Sequence, residues 1–139
     1  MRLIVCVEDR EQAEIIRRTL AGWPGCEMTF FSSVPELLAH PPQCDIAMLD
    51  LTADIAAPAR LAGTLRARYP AVDLVFLSAD PGCATLAFRL DAAQFFLKPV
   101  EGQCLLWEFG FLLRKRSERR FRWVVSNKTT AYTLSPAEI

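Results

Sequence analysis

The sequence predicts a doubly wound α/β fold: a five-stranded parallel sheet with helices on both faces, followed by a C-terminal β-hairpin tail. Three observations predict it. Five short apolar runs alternate with longer segments of helical period, and those runs are apolar throughout instead of alternating with polar residues. Of the 139 residues, 52% are hydrophobic and 23% charged, enough apolar material for one sizeable core. Strands without polar alternation bury both faces, as strands of a parallel sheet do.

The elements follow in order. "RLIVCV" (2–7) is the first strand, and residues 10–21 carry Ala13, Ile16 and Leu20 at helical spacing. "EMTFF" (27–31) is the second strand; Ser32 or Ser33 then caps a short helix over 34–40, which Pro41-Pro42 breaks. The third strand is 45–49. A helix covers roughly 58–69, with Pro58 in its first turn and Pro70 just past its end. "VDLVFL" (72–77) is the fourth strand, and Pro81-Gly82 opens a helix over 82–90. "AQFFL" (93–97) is the fifth, and a helix over 102–119 closes the series. The tail "FRWVVSNKTTAYTLSPAEI" (121–139) alternates, turns at Ser126-Asn127-Lys128 and alternates again, the pattern of a hairpin. The reading is one domain over 1–120 and, over 121–139, a linker or the start of a second, truncated domain.

In an open parallel sheet ligands bind beyond the carboxyl ends of the strands. Strand one ends in Glu8-Asp9, strand three in Asp50, strand four in Ser78 and strand five in Lys98-Pro99. Three carboxylates, a hydroxyl and an amine therefore share one rim. Packed acids repel unless a cation joins them, and an oxygen-only set without His or Cys suits a hard ion such as Mg²⁺. Asp50 is then placed as a nucleophile toward phosphorus, with Lys98 and Ser78 of the right types to hold phosphoryl oxygens. The plainer reading is that Glu8 and Asp9 merely cap the first helix, whose N-terminus favours acids, and that Lys98 is a surface residue.

The motifs "VCVED", "IAMLDL", "VFLSA" and "FFLKPV", in that order, resemble the receiver domain of bacterial two-component response regulators over residues 2–118. The resemblance implies a flavodoxin-like sheet of order 2-1-3-4-5. It implies that Asp50 accepts a phosphoryl group from a sensor histidine kinase. Glu8, Asp9, Asp50 and the backbone carbonyl of Thr52 would hold Mg²⁺, Ser78 and Lys98 would contact the phosphoryl oxygens, and Phe95 would be the aromatic switch position beside Ser78. "CATLAFRLDAAQFFLKPV" (83–100) is similar to regulators with a LytTR-type DNA-binding output, so DNA would be bound only through a domain absent here. A homodimer through the 82–90 helix, the 93–97 strand and the 102–119 helix is also expected. Two other readings share the acid set. A haloacid-dehalogenase-like phosphatase also uses an Asp nucleophile, but wants a second Asp where Thr52 stands. A pseudo-receiver would keep the fold as an interaction module without being phosphorylated.

Other signals bound these readings. Formal net charge is +0, which gives no general reason to bind nucleic acid or membrane. Six of the sixteen Lys and Arg and one of the sixteen Asp and Glu fall in "RKRSERRFR" (114–122), leaving ten basic against fifteen acidic residues elsewhere. The run reads as a solvated helix end and linker. The five cysteines show no C-x-x-C spacing, and Cys6, Cys44 and Cys104 lie in apolar segments as small hydrophobes, pointing to a reducing cytoplasm. The apolar start is too short for a signal peptide and no run is long enough for a membrane helix. His40 is the only histidine, so Ser78 has no Ser-His dyad, and no glycine pattern cradles a nucleotide. On the final helix Leu105, Leu106, Phe109, Leu112 and Leu113 share a face expected to dock on the sheet. Cys104, Trp107 and Phe111 form a second stripe, expected to meet a partner or to lie under the hairpin.

Overall fold

The computed structural model describes residues 1–128, with side chains to Arg119. Its elements are β1 (Arg2–Cys6), α1 (Arg10–Leu20), β2 (Glu27–Phe31), α2 (Val34–Ala39), β3 (Ile46–Asp50), α3 (Ala56–Arg68), β4 (Asp73–Ser78), α4 (Cys83–Arg89), β5 (Gln94–Leu97) and α5 (Gly102–Lys128). The sheet order is β2-β1-β3-β4-β5, and every pairing is parallel. The chain divides into two compact units, Met1–Leu106 and the part from Trp107 onward.

In the first unit the strand interiors explain the pairing. Leu3 to Cys6, Ile46 to Leu49 and all six residues of β4 are buried, so β1, β3 and β4 form the middle of the sheet. β2 is an edge strand with a mixed, partly exposed pattern. One core cluster runs from Ile4, Ala47 and Leu49 through Leu61, Leu65 and Phe76 to Ala87. α1 turns Ile16 and Leu20 inward, as its spacing predicts, and also buries Gln12, whose Oε1 accepts the Val100 amide at 2.8 Å. That bond satisfies a buried polar side chain that would otherwise be costly. Asp9 caps α1, its Oδ1 accepting the Glu11 amide at 2.9 Å.

Some expectations need correction. Ser33 does stand at the N-cap of α2, but its side chain makes no cap bond there; the fixed φ of Pro35 in the first turn helps start the helix instead. α3 begins two residues before Pro58, its opening Ala56 amide held by Asp54 Oδ1 at 3.1 Å. All five cysteines are free; Cys6 and Cys44 are buried as small hydrophobes, but Cys104, read the same way from sequence, is exposed.

The tail is the largest difference. α5 continues to Lys128, so residues 121–128, expected as a strand and turn, are helical. Helix propagation adds one hydrogen bond per residue, whereas a hairpin must be nucleated anew and is marginal alone. The second arm of the hairpin, in 129–139, lies outside the described residues. On α5, Leu105, Phe109 and Leu112 are buried as expected, but Leu106 is 42% exposed. In the second unit Trp107 and Phe111 meet edge to face at 5.4 Å, and the Arg114 guanidinium lies 5.1 Å over the Phe111 ring.

Candidate functional site

Because the strands are parallel, their carboxyl ends share one edge. The register pairs Cys6 with Leu49 and Leu49 with Phe76, then Asp50 with Leu77 and Ser78 with Leu97. Alternation along the pleat puts Asp50 and Lys98 on one side of the sheet and Ser78 with Phe95 on the other.

Lys98 Nζ donates to Asp50 Oδ2 at 2.6 Å, and the two side chains are only 10% and 6% exposed. Asp50 Oδ1 accepts the Thr52 amide at 2.9 Å. Burying a lone charge here would be expensive, and a nearly buried pair with a further amide bond is how the sheet end tolerates it. The Thr52 hydroxyl lies 3.4 Å from Lys98 Nζ and accepts the Ala79 amide at 3.3 Å, tying the β3 and β4 ends together. Sequence reasoning gave Thr52 a role only through its carbonyl; the hydroxyl two residues past the acid was the signal for this second one.

Ser78 is fully buried, its Oγ accepting the Asp80 amide at 3.0 Å, while its carbonyl accepts the Lys98 amide at 2.8 Å. It is thus linked to Lys98 through backbone, not through its hydroxyl. Phe95 packs partly buried against the core and lines an apolar cavity of about 240 Å³ with Ala84, Ala87, Phe88 and Ala92.

Glu8 and Asp50 line a second cavity of about 240 Å³, together with Cys6, Ser33 and Asp54. The acidity of this cavity registers on Cys6. Burial first, then the charges of Asp50, Glu8 and Glu36, push its thiol from 9.0 up to about 11. Cys6 and Asp54 were not singled out from sequence; Cys6 sits two residues before Glu8 and Asp54 four after Asp50, spacings without a distinctive pattern. Asp9 is the outlier of the acid set, engaged as the α1 cap. Among the described residues no three His, Cys, Asp or Glu side chains close into one metal-holding group, so the expected three-acid cluster is not formed. The donor chemistry still suits Mg²⁺: Glu8 and Asp50 offer only oxygens to a shared cavity, and Mg²⁺ keeps several waters that can span separated carboxylates.

No protein-family profile and no curated protein matches this chain. Solved structures do. The response regulatory domain of MrkE from Klebsiella pneumoniae aligns with TM-score 0.74 and 18% identity, covering 85% of this chain and 99% of that one. This is the receiver fold. A CheY-like receiver domain protein from Methanospirillum hungatei aligns over 85% of this chain and 97% of its own, with TM-score 0.71 and 16% identity. The beryllofluoride-activated receiver domain of DrrB, a Thermotoga maritima protein, aligns over 81% and 97%, with TM-score 0.70 and 15% identity. The sheet order expected from sequence is that of the receiver fold, and at these identities the likeness establishes fold alone. No helix among the described residues is long and apolar enough to cross a membrane.

Proposed function

We propose that this chain is a phosphorylation-responsive signalling domain in which Asp50 accepts a phosphoryl group from a phosphohistidine of a sensor kinase. One observation carries the reading: a nearly buried carboxylate at the end of a central strand, held at 2.6 Å by the Lys98 ammonium. An Asp50 oxygen attacks phosphorus, the bond from phosphorus to the histidine nitrogen breaks, and the imidazole leaves. Lys98 is already at the carboxylate and can follow the charge onto the phosphoryl oxygens. Thr52 Oγ, beside the Lys98 ammonium, is a further hydroxyl for those oxygens. Ser78 would have to release the Asp80 amide to join them, which couples phosphorylation to Phe95 on the same side of the pleat.

Glu8, Asp9, Asp50 and the Thr52 carbonyl would hold Mg²⁺, Asp9 keeping its cap through one oxygen. The bound ion would offset charge between the carboxylates and the phosphoryl oxygens. The signal would pass to a DNA-binding output domain of LytTR type. That part rests on the 83–100 resemblance. The chain would accept phosphoryl without acting as a turnover enzyme.

The test is intact-mass spectrometry after incubation with acetyl phosphate. One added phosphoryl group is expected, dependent on Mg²⁺ and absent in Asp50→Asn. Labelling of that variant, or labelling unaffected by EDTA, overturns the assignment. Sustained release of inorganic phosphate would point to a phosphatase, and no labelling at all to a pseudo-receiver.

A further inference from the structure

With Asp50 read as the phosphoryl acceptor, we propose that Arg66 of α3 is a strap on the joint between α4 and β5. The strap, more than the packing of α4, holds that helix in its resting position and so opposes phosphorylation from the far side of the sheet end.

α4 is thinly held along its length. It spans seven residues and buries only two small side chains, Cys83 and Ala87. Its largest side chain, Phe88, is 79% exposed. Between the helix and β5 lies the apolar cavity of about 240 Å³ beside Phe95. A void forfeits the contacts that would otherwise fix a helix on its sheet. The first turn leans on Asp80, whose Oδ1 accepts the Gly82 amide at 2.9 Å and whose carbonyl accepts the Cys83 amide at 3.0 Å. Asp80 is itself tied to Ser78 Oγ through its own amide. The N-terminal end of α4 therefore follows Ser78.

The C-terminal end is fastened differently. Asp91 takes the left-handed conformation at φ 58°, which a non-glycine residue adopts at a cost. Around it the Leu90, Asp91 and Ala92 amides donate to carbonyls of the last turn of α4. Arg66 closes this turn from outside the helix, with Nη1 3.2 Å from Asp91 Oδ2 and Nη2 donating to the Asp91 carbonyl at 3.0 Å. The Asp91 carboxylate is 86% exposed, so the ion pair alone contributes little. The weight falls on the carbonyl bond, which fixes backbone and is strengthened by the guanidinium charge. Reaching it leaves Arg66 Nε buried without a partner among the described residues.

α4 is thus tied to the phosphoryl rim at one end and strapped to α3 at the other, over apolar space. At 1.5 Å per residue the helix is only about 10 Å long, so moving its first turn tilts its last. The planar Arg66 fork matches one placement of the Asp91 carboxylate and carbonyl and is lost on tilting. A contact made only in the resting position opposes the other position by its differential free energy. When Ser78 gives up the Asp80 amide for a phosphoryl oxygen, that contact is what resists. Arg66 acts through Asp91 as a positioning residue.

Calorimetric titration with beryllofluoride and Mg²⁺, standing in for the phosphoryl group, tests the strap. Arg66→Ala should bind roughly fivefold tighter than the parent or better. Arg66→Lys keeps the charge but lacks the fork, and should fall between them. Arg66→Ala combined with Asp91→Asn should bind no tighter than Arg66→Ala alone, because both act through one contact. A second measurement needs no ligand. In deuterium oxide the Leu90, Asp91 and Ala92 amides should exchange faster in Arg66→Ala by roughly tenfold or more, while the Tyr69 amide at the end of α3 keeps its rate. Unchanged exchange at the joint, equal acceleration at Tyr69, or beryllofluoride bound by Arg66→Ala no tighter than by the parent would each overturn the proposal. A parent that binds no beryllofluoride would overturn the reading of Asp50 instead, and exchange at the joint would then decide the strap by itself.

Discussion

Asp50 and Lys98 compensate each other at a place where either alone would be an unpaired, nearly buried charge. Lys98→Ala should therefore lower stability by about 2 kcal/mol in urea denaturation. Asp50→Asn combined with Lys98→Met should lose less than the two single effects added together, because no charge is then stranded. Cys6 gives a pH signature. Its thiol is raised in the folded chain, from 9.0 to about 11, by burial and by the Asp50, Glu8 and Glu36 charges, so the folded state holds that proton more tightly than the unfolded state. The resulting stability is fully present below pH 9 and is lost as pH rises toward about 11. Cys26, also raised by burial, adds in the same direction. In chemical denaturation followed between those limits, Cys6→Ala should flatten the decline, and an equally steep fall in that variant would assign it to other groups. The pair at Asp50 was legible from residue types at strand ends. The cap role of Asp9 was legible too, and Asp9 Oδ1 does accept the Glu11 amide. What could not be read was which oxygens are already engaged, because that depends on loop geometry.

At the scale of elements, the order and number of strands and helices came from apolar runs and from Pro and Gly boundaries, and the boundaries hold within a few residues up to α5. The error in the tail has a physical origin. "FRWVV" has the β-branched and aromatic composition of a strand, yet it follows a helix directly with no Gly or Pro to stop it, and the three-and-four spacing from Trp107 runs on through Val125. Continuity of the helix overrode local propensity. A second element-level device was invisible in sequence. Asp91 closes α4 in the left-handed region at φ 58°, and Arg66 of α3 grips it, Nη1 at 3.2 Å from Oδ2 and Nη2 donating to its carbonyl at 3.0 Å. Asn tolerates that backbone and Ala does not, so Asp91→Asn should be milder than Asp91→Ala, which should cost about 2 kcal/mol by strain and lost contact together. Thermal unfolding of the two variants checks the order; equal losses would leave the backbone conformation without a role.

For the molecule as a whole, anything that binds the folded rim and not the unfolded chain must raise the unfolding temperature. Beryllofluoride with Mg²⁺ should do so for the parent and not for Asp50→Asn, measured by scanning calorimetry; an equal rise in both would place the ligand elsewhere. The bond between Gln12 and Val100 has its own consequence at this scale. It joins the first helix to the loop after the last strand, across 88 residues of sequence, with its partners buried. Fraying of a single element does not open it, since the donor follows β5 and the acceptor belongs to α1. Solvent reaches that amide when the buried contact between α1 and the loop after β5 comes apart. In deuterium oxide the Val100 amide should therefore rank among the slowest to exchange, at a rate set by complete unfolding, while the amides of edge strand β2 exchange through local openings long before it.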